Sequence, residues 1–524
     1  MRLMSSNTYE KKKNVKNGVK RMLFAVFSLL LEIVFIVLLF TELNAYAEWI
    51  DGCTRLIALL TVLGIYSQNK TSSMKTPWII LILIFPVLGL CMYVLVGFNG
   101  TTYKMKKRYE EIDHVLVPEL DRRKDNDLAK ELSLDYPSMA GVSMYLSDCC
   151  GYPLYNDTDI EYYAQAQDGL AAQKEELKKA ENFIFMEYHA IEDAEAFHGI
   201  LDILEEKVKE GVEVRVFYDD MGSIGFINTD FVKRLEAKGI KARVFNPFTI
   251  GLNIFYNNRD HRKITVIDGK VGFTGGYNIA DEYFNITHPY GYWKDTGVKL
   301  TGGAVRSLTV LFLEMWNSVR ADDEDDAYFD KYLPAFSHRP VEKAYVQPYG
   351  DNPMDDEQCG ENVYISIAEQ ARKYVWFITP YLILTDEMIH AFGLAAKRGV
   401  DVRIITPGIP DKKLVYSVTR SYYNTLTRNG VKVYEYTPGF CHCKMCVSDD
   451  IVATNGTINL DYRSLYHHFE NGCMYAGCQA VLDTKNDFDE IIAVSKDVTA
   501  MYRNGQKASN NILQFLLRLF APLM

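Results

Sequence analysis

The stretch His261-Arg262-Lys263-Ile264-Thr265-Val266-Ile267-Asp268 recurs in outline as His442-Cys443-Lys444-Met445-Cys446-Val447-Ser448-Asp449. Both fit one template: His, any residue, Lys, four residues, Asp. In an extended strand, residues two apart point to the same face, so each histidine lies beside its lysine. The first copy runs on through Asp268-Gly269, a hairpin signal between β-prone runs, and returns to Gly275-Gly276-Tyr277-Asn278. The second returns to Gly456-Thr457-Ile458-Asn459. Each copy thus offers His, Lys and Asn, with small residues that let a ligand approach the backbone. The cysteines around His442 are not part of what the copies share, because the first has Arg262 where the second has Cys443. Cys441, Cys443 and Cys446 also lack a second CxxC or a ligand pair at finger-like spacing, so no metal is expected.

Outward from these motifs, the chain repeats itself. Phe183-Ile184-Phe185-Met186-Glu187-Tyr188 corresponds to Val375-Trp376-Phe377-Ile378-Thr379-Pro380, each an aromatic and β-branched run suited to a buried strand. GVEVRVF from Gly211 matches GVDVRII from Gly399, and KGIKARV from Lys238 matches NGVKVYE from Asn429. The glycine that follows each helical stretch suits a C-cap, where positive φ costs little. Strands alternating with helices predict an α/β fold in two copies, each a largely parallel or mixed sheet covered by helices. The acidic run Asp322–Asp326 between the copies reads as solvated loop.

The 524 residues allow two or three domains. A formal charge of -11 disfavours a general nucleic-acid binder, because phosphate backbones attract basic surfaces. Ten cysteines in so long a chain read as free thiols in a reducing compartment rather than a disulfide scaffold. The N-terminal region is membrane material. Met22–Phe40 is apolar except for Ser28 and Glu32, and Pro77–Phe98 carries no charge. Each is long enough to cross a hydrocarbon core of roughly 30 Å. Leu56–Tyr66, between them, either crosses or lies in the interface. Ala45-Tyr46-Ala47 resembles a signal-peptide cleavage site, but the preceding run is longer than a signal core and another apolar segment follows. Basic residues stand before the first span and again at Lys104, Lys106, Lys107 and Arg108, which places both flanks in the cytoplasm if the crossings are even in number. At the other end, Asn511–Met524 is apolar over most of its surface, fit either to dip into the interface or to pack on the core.

The paired residues suit a phosphodiester. Lysines supply positive charge to non-bridging oxygens and asparagines supply amide donors. Two histidines allow double displacement: one attacks phosphorus, the other protonates the leaving alcohol and then deprotonates the incoming one. No metal or cofactor is needed, because the lysines neutralise charge. A carboxylate on the far ring nitrogen would fix the tautomer of the nucleophile.

These motifs resemble those of the phospholipase D superfamily, and within it the bacterial cardiolipin synthases. Further resemblance lies in the apolar segment ending at Phe98, in FTGGYNIADEY from Phe273, YWKDTGVKLTGGAV from Tyr292, ITPYLI from Ile378 and NLDYRSLYHHFENG from Asn459. It covers the chain from about Arg21 to Met524. The resemblance implies two homologous phospholipase D-like lobes, each a mixed β-sheet flanked by helices, with one active site where they meet, preceded by N-terminal transmembrane helices. The expected layout is a basic tail (1–21), a membrane-anchoring region (22–98), a linker (99–140), lobe 1 (141–340), lobe 2 (341–500) and an apolar C-terminal helix (501–524).

The implied activity is condensation of two phosphatidylglycerol molecules into cardiolipin and glycerol at the bacterial plasma membrane, with the lobes on the cytoplasmic side. The implied catalytic residues are His261, Lys263, Asp268, His442, Lys444 and Asp449, with His261 as nucleophile and His442 as acid and base. Asn278 and Asn459 are expected on the substrate phosphate. In relatives a downstream acid orients each histidine, and Asp295 and Glu470 are the candidates here; Asp268 and Asp449 would then mainly hold the motif turns. The expected partners are phosphatidylglycerol, cardiolipin and the bilayer, with no nucleic acid; an oligomer is left open. Alternatives are a hydrolase, transfer to another acceptor such as phosphatidylethanolamine, a membrane-anchored nuclease and a non-catalytic lipid-binding scaffold.

Overall fold

The structure, a computed structural model, describes residues 48–68, 71–94, 103–121, 125–247, 258–319, 329–355 and 357–504, with isolated positions 30, 34, 37, 517–519 and 521. The basic tail, most of Met22–Phe40, the acidic run Asp322–Asp326 and most of Asn511–Met524 lie outside the described residues.

Two sheets share one plan. In the first, strands are β1 (Thr158–Tyr163), β2 (Phe183–Tyr188), β3 (Glu213–Asp219), β4 (Lys241–Phe245), β5 (Lys263–Ile267), β6 (Val271–Gly275) and β7 (Gly297–Gly302). Their order across the sheet is β1-β7-β6-β5-β2-β3-β4. In the second, they are β8 (Tyr345–Asp351), β9 (Tyr374–Ile378), β10 (Asp401–Pro407), β11 (Lys432–Tyr436), β12 (Met445–Ser448), β13 (Val452–Gly456), β14 (His468–Ala476) and β15 (Ser495–Asp497). The order β8-β14-β13-β12-β9-β10-β11 repeats the first plan, and β15 adds an edge. β2-β3-β4 and β9-β10-β11 pair in parallel, whereas the motif strands β5 and β12 pair antiparallel on both sides. Both sheets are therefore mixed.

Burial explains the strand composition. Every residue of β2 and of β9 is buried, as expected where both faces of a sheet are covered. On one side of the first sheet, helix Glu195–Lys209 inserts Ala196, Phe197, Ile200, Ile203 and Leu204 at helical spacing. It ends before Gly211 at φ +92, and helix Asp386–Lys397 of the other lobe ends before Gly399 at φ +94. Between the sheets lies a shared layer, helices Val305–Ser318 and Gln479–Ala493, whose apolar residues join both sheets in one core. Phe312 stacks on Phe185 at 4.4 Å there. The lobes are thus welded, not hinged.

Residues 103–148, which include most of the stretch expected as a linker, form three helices instead: Tyr103–Asp121, Asn126–Asp135 and Pro137–Asp148. Tyr109, Ile112, Leu116 and Leu120 recur at three and four residues and join the central core, which an extended connection would leave exposed.

Of the N-terminal apolar segments, the run from Pro77 differs from the uninterrupted span expected there. Helices Glu48–Tyr66 and Ser72–Ile84 fold back on each other through Ala58, Ile65, Trp78 and Ile82. The run from Pro77 is broken at Phe85 (φ −126, ψ 74) before a short helix Pro86–Met92. Pro86 lacks an N–H and disfavours helical geometry in the residue before it. Among the described residues, no helix is long and apolar enough to cross a membrane. The outer face of the pair is nonetheless apolar, with Leu56, Ile57, Leu59, Leu60 and Leu63 exposed.

Candidate active site

The two histidines stand just outside their motif strands, at the seam between the lobes. Two short parallel pairings cross this seam. Arg259–Asp260 pairs with His468–Phe469, and Gly439–Cys441 pairs with Tyr292–Lys294. Each register continues by one residue. The His261 N–H donates to the Phe469 carbonyl at 2.9 Å, and the His442 N–H donates to the Lys294 carbonyl at 2.8 Å. Glu470 is thereby brought opposite His261, and Asp295 opposite His442. The ring contacts follow: His261 Nδ1 to Glu470 Oε2 is 2.8 Å, and His442 Nδ1 to Asp295 Oδ2 is 2.7 Å. A carboxylate only accepts, so in His261 Nδ1 carries the proton and Nε2 the lone pair. The pairing is crossed: each histidine is oriented by the acid of the other lobe. For His442 the partner lies upstream, which corrects the expectation of a downstream acid for each motif.

The acids are held in turn. Thr457 donates its hydroxyl to Glu470 Oε2, and the Thr296 N–H donates to Asp295 Oδ1 at 2.9 Å. Gly276 takes the place of Thr457 in the first lobe for a steric reason. A Cβ there would lie 2.1 Å from Asp295 Oδ1.

Charge converges on the same spot. Lys263 donates to the His261 carbonyl at 2.6 Å, and Lys444 donates to the His442 carbonyl. The Lys444 ammonium also lies 2.8 Å and 2.9 Å from the two nitrogens of the His442 ring. Burial, then Lys263 and Lys444, pushes His261 well below the ordinary imidazole range. Burial, then Lys444 and Lys263, does the same to His442. The charge of each lysine thus acts on both rings, which lie on either side of the seam. Desolvation also lowers Lys263 to about 7 and Lys444 to about 8, and raises Asp295 to about 6.

The two rings have unlike surroundings. His261 is flanked by His189 at 4.9 Å and His468 at 5.5 Å between ring centroids. His442 is flanked by Tyr283 at 5.2 Å, Trp293 at 5.4 Å and Phe440 at 5.8 Å. None of these five stood out as a site residue in the sequence, because no spacing ties them to the motifs. Among the described residues, His261, His468 and Glu470 also bring ligand-type atoms within 4.8 Å of one another.

Asp268 and Asp449 are not brought to this seam but hold the motif turns. Each sits at the far end of its motif strand, about 16 Å along at roughly 3.3 Å per residue. Asp268 accepts the N–H groups of Glu181, Asn182 and Phe183 at 2.8, 2.7 and 2.8 Å. Asp449 accepts those of Arg372, Lys373 and Tyr374 at 2.7, 2.8 and 2.9 Å. Both occupy the left-handed region, at φ +54 and +56. They pin the turns to the starts of β2 and β9. The expected phosphate donors differ from each other. Asn278 accepts from the Ala190 N–H at 3.0 Å and donates to the Tyr283 hydroxyl at 2.8 Å, whereas Asn459 Oδ1 is buried without a hydrogen-bond partner. The three cysteines do not converge. Cys441 and Cys443 have sulfurs 3.8 Å apart in the central core, and Cys446 packs in the outer core of lobe 2.

Two lobes of one plan, meeting over two neutral imidazoles, two lysines and two crossed carboxylates, define a two-motif phosphodiester-transfer fold. Residues 174–295 and 364–492 match the family described as cardiolipin synthase, PLD-like domain, and residues 56–97 match the phospholipase D-nuclease N-terminal family. A cardiolipin synthase 2 of Bacillus cereus is 32% identical, with 88% of each chain covered. A cardiolipin synthase of Clostridium perfringens is 32% identical over 87% of this chain and 95% of its own. An uncharacterised Streptococcus mutans protein is 44% identical over 87% of this chain and 98% of its own. A phosphatidylserine synthase structure from Haemophilus influenzae shares the fold, with a TM-score of 0.53 at 16% identity over 73% of this chain and 97% of its own. The chain belongs to the bacterial cardiolipin synthase family of the phospholipase D superfamily, whose members are phospholipid transferases.

Proposed function

We propose that this protein condenses two phosphatidylglycerol molecules into cardiolipin and glycerol through a phosphatidyl-histidine. The crossed histidine–carboxylate pairs at the seam are the observation that carries this reading. With Nδ1 protonated and bonded to Glu470, His261 presents the Nε2 lone pair to phosphorus. A P–N bond forms as the bond from phosphorus to the headgroup glycerol oxygen breaks. His442, protonated once the anionic phosphodiester is bound beside it, gives its proton to the leaving glycerol. The terminal hydroxyl of a second phosphatidylglycerol then attacks phosphorus, His442 takes back the proton, and His261 leaves. No proton is gained or lost over the cycle. Lys263 and Lys444 carry the charge of the non-bridging oxygens. Asp295 and Glu470 stabilise whichever ring is cationic.

Lipid substrates place the work at a bilayer surface, and the apolar outer face of the N-terminal helix pair supports anchoring there, with the lobes on the cytoplasmic side. The test is product analysis with the purified full chain in phosphatidylglycerol vesicles. Cardiolipin and free glycerol should appear in equal amounts, and neither from His261→Ala or His442→Ala. Phosphatidic acid as the main product would assign a hydrolase instead. Phosphatidylethanolamine added to the vesicles tests the alternative acceptor directly.

A further inference from the structure

In-line chemistry dictates where the second lipid must enter. With His261 attacking from one side, the leaving glycerol departs on the side of His442, and the acceptor hydroxyl must arrive there to be deprotonated by the same ring. The two lobes differ on this point. In the first lobe β3 ends at Asp219, and Asp220 follows. Asp219 is closed off by Arg259 at 3.3 Å and by the N–H groups of Gly222 and Asp260. The matching loop after β10 runs Gly408-Ile409-Pro410-Asp411-Lys412 and leads into helix Lys413–Arg428.

Lys412 has 64% of its side chain exposed and is loosely held. Its ammonium donates to the Tyr381 hydroxyl at 3.3 Å, lies 5.1 Å from that ring, and is 3.9 Å from Asp411. The Tyr381 ring adjoins Phe440 at 6.5 Å, and Phe440 adjoins His442 at 5.8 Å. The Lys412 charge adds, after burial and the two motif lysines, to the lowering of both histidines. An acceptor phosphatidylglycerol brings a second phosphate to the His442 side, and Lys263 and Lys444 are already engaged with the first.

We propose that Lys412, backed by Tyr381, forms the acceptor subsite by binding the phosphate of the incoming lipid, which selects an anionic glycerophosphate alcohol over water and neutral alcohols. This rests on the double-displacement reading above. Asp411 accepts the Tyr381 hydroxyl at 2.5 Å and so keeps that ring beside the lysine.

The experiment is a competition in phosphatidylglycerol vesicles with ethanol as the neutral acceptor, reading the ratio of cardiolipin to phosphatidylethanol. Lys412→Ala should lower that ratio by about tenfold, the loss of one charge contact. Lys412→Glu should lower it further, and Lys412→Arg should restore it to within about threefold of wild type. An unchanged ratio in the Ala and Glu variants overturns the subsite and leaves the histidine chemistry standing. An equal loss of both products also overturns it, placing Lys412 on the donor or in the fold. Wild-type protein that makes phosphatidylethanol but no cardiolipin would remove the condensation reading and the subsite with it.

Discussion

At the scale of single residues, the site depends on which carboxylate holds which ring. Glu470→Gln keeps the shape but removes the charge that steadies a cationic His261. The expected loss in kcat is on the order of 10²–10⁴-fold, with little change in stability. In nitrogen NMR the same variant should shift the titration of His261 and not of His442; a shift confined to His442 would refute the crossed pairing. The lysines set the alkaline limb. Free Lys263 and Lys444, lowered mainly by burial to about 7 and about 8, lose charge as pH rises through that window. A bound phosphodiester anion raises both again. The plot of kcat/KM should therefore fall on the alkaline side before kcat does, and superimposable limbs would show that these lysines do not carry the phosphate.

At the scale of elements, two very short pairings do the positioning. Gly439 faces Tyr292 so closely that a Cβ would lie 2.1 Å from the Tyr292 carbonyl oxygen. Gly439→Ala must push the strands apart, at a cost of about 1–3 kcal/mol. It should reduce kcat by tenfold or more through displacement of His442, although residue 439 touches no reacting group. Asp268→Asn acts elsewhere. It weakens three charge-assisted bonds to the start of β2, worth about 2–4 kcal/mol together. Urea unfolding should show the loss, with activity per folded molecule retained. Elements were also where the sequence was most legible. Alternation, the Asp-Gly turn and the capping glycines are local signals, and the strands they mark are present. The helices at 103–148 were missed because their burial comes from partners far along the chain.

At the scale of the whole molecule, the lobes share a core through helices Val305–Ser318 and Gln479–Ala493, so the active-site seam is rigid. The N-terminal helix pair presents its leucines outward from this body. If that face lies among acyl chains, a tryptophan at Leu63→Trp in the full chain should be quenched by vesicle lipids brominated in their tails, beyond the quenching of the wild-type tryptophans. Equal quenching would place the face against protein or water. Apolar content was readable from the sequence, but the helix break at Phe85 and the fold-back onto Trp78 depend on Pro86 and on packing.

The two acids entered as candidates only through the family resemblance; from the residues themselves came the duplication, the mixed α/β lobes and the paired histidines and lysines. Those follow from short spacings and from side-chain chemistry that no neighbour alters. Which acid serves which histidine was decided only in three dimensions. Glu470 and His261 are separated by 209 residues, Asp295 and His442 by 147, and each pair is joined by a backbone pairing across the lobe interface. No local pattern encodes such a partnership, because it arises from how two finished sheets meet.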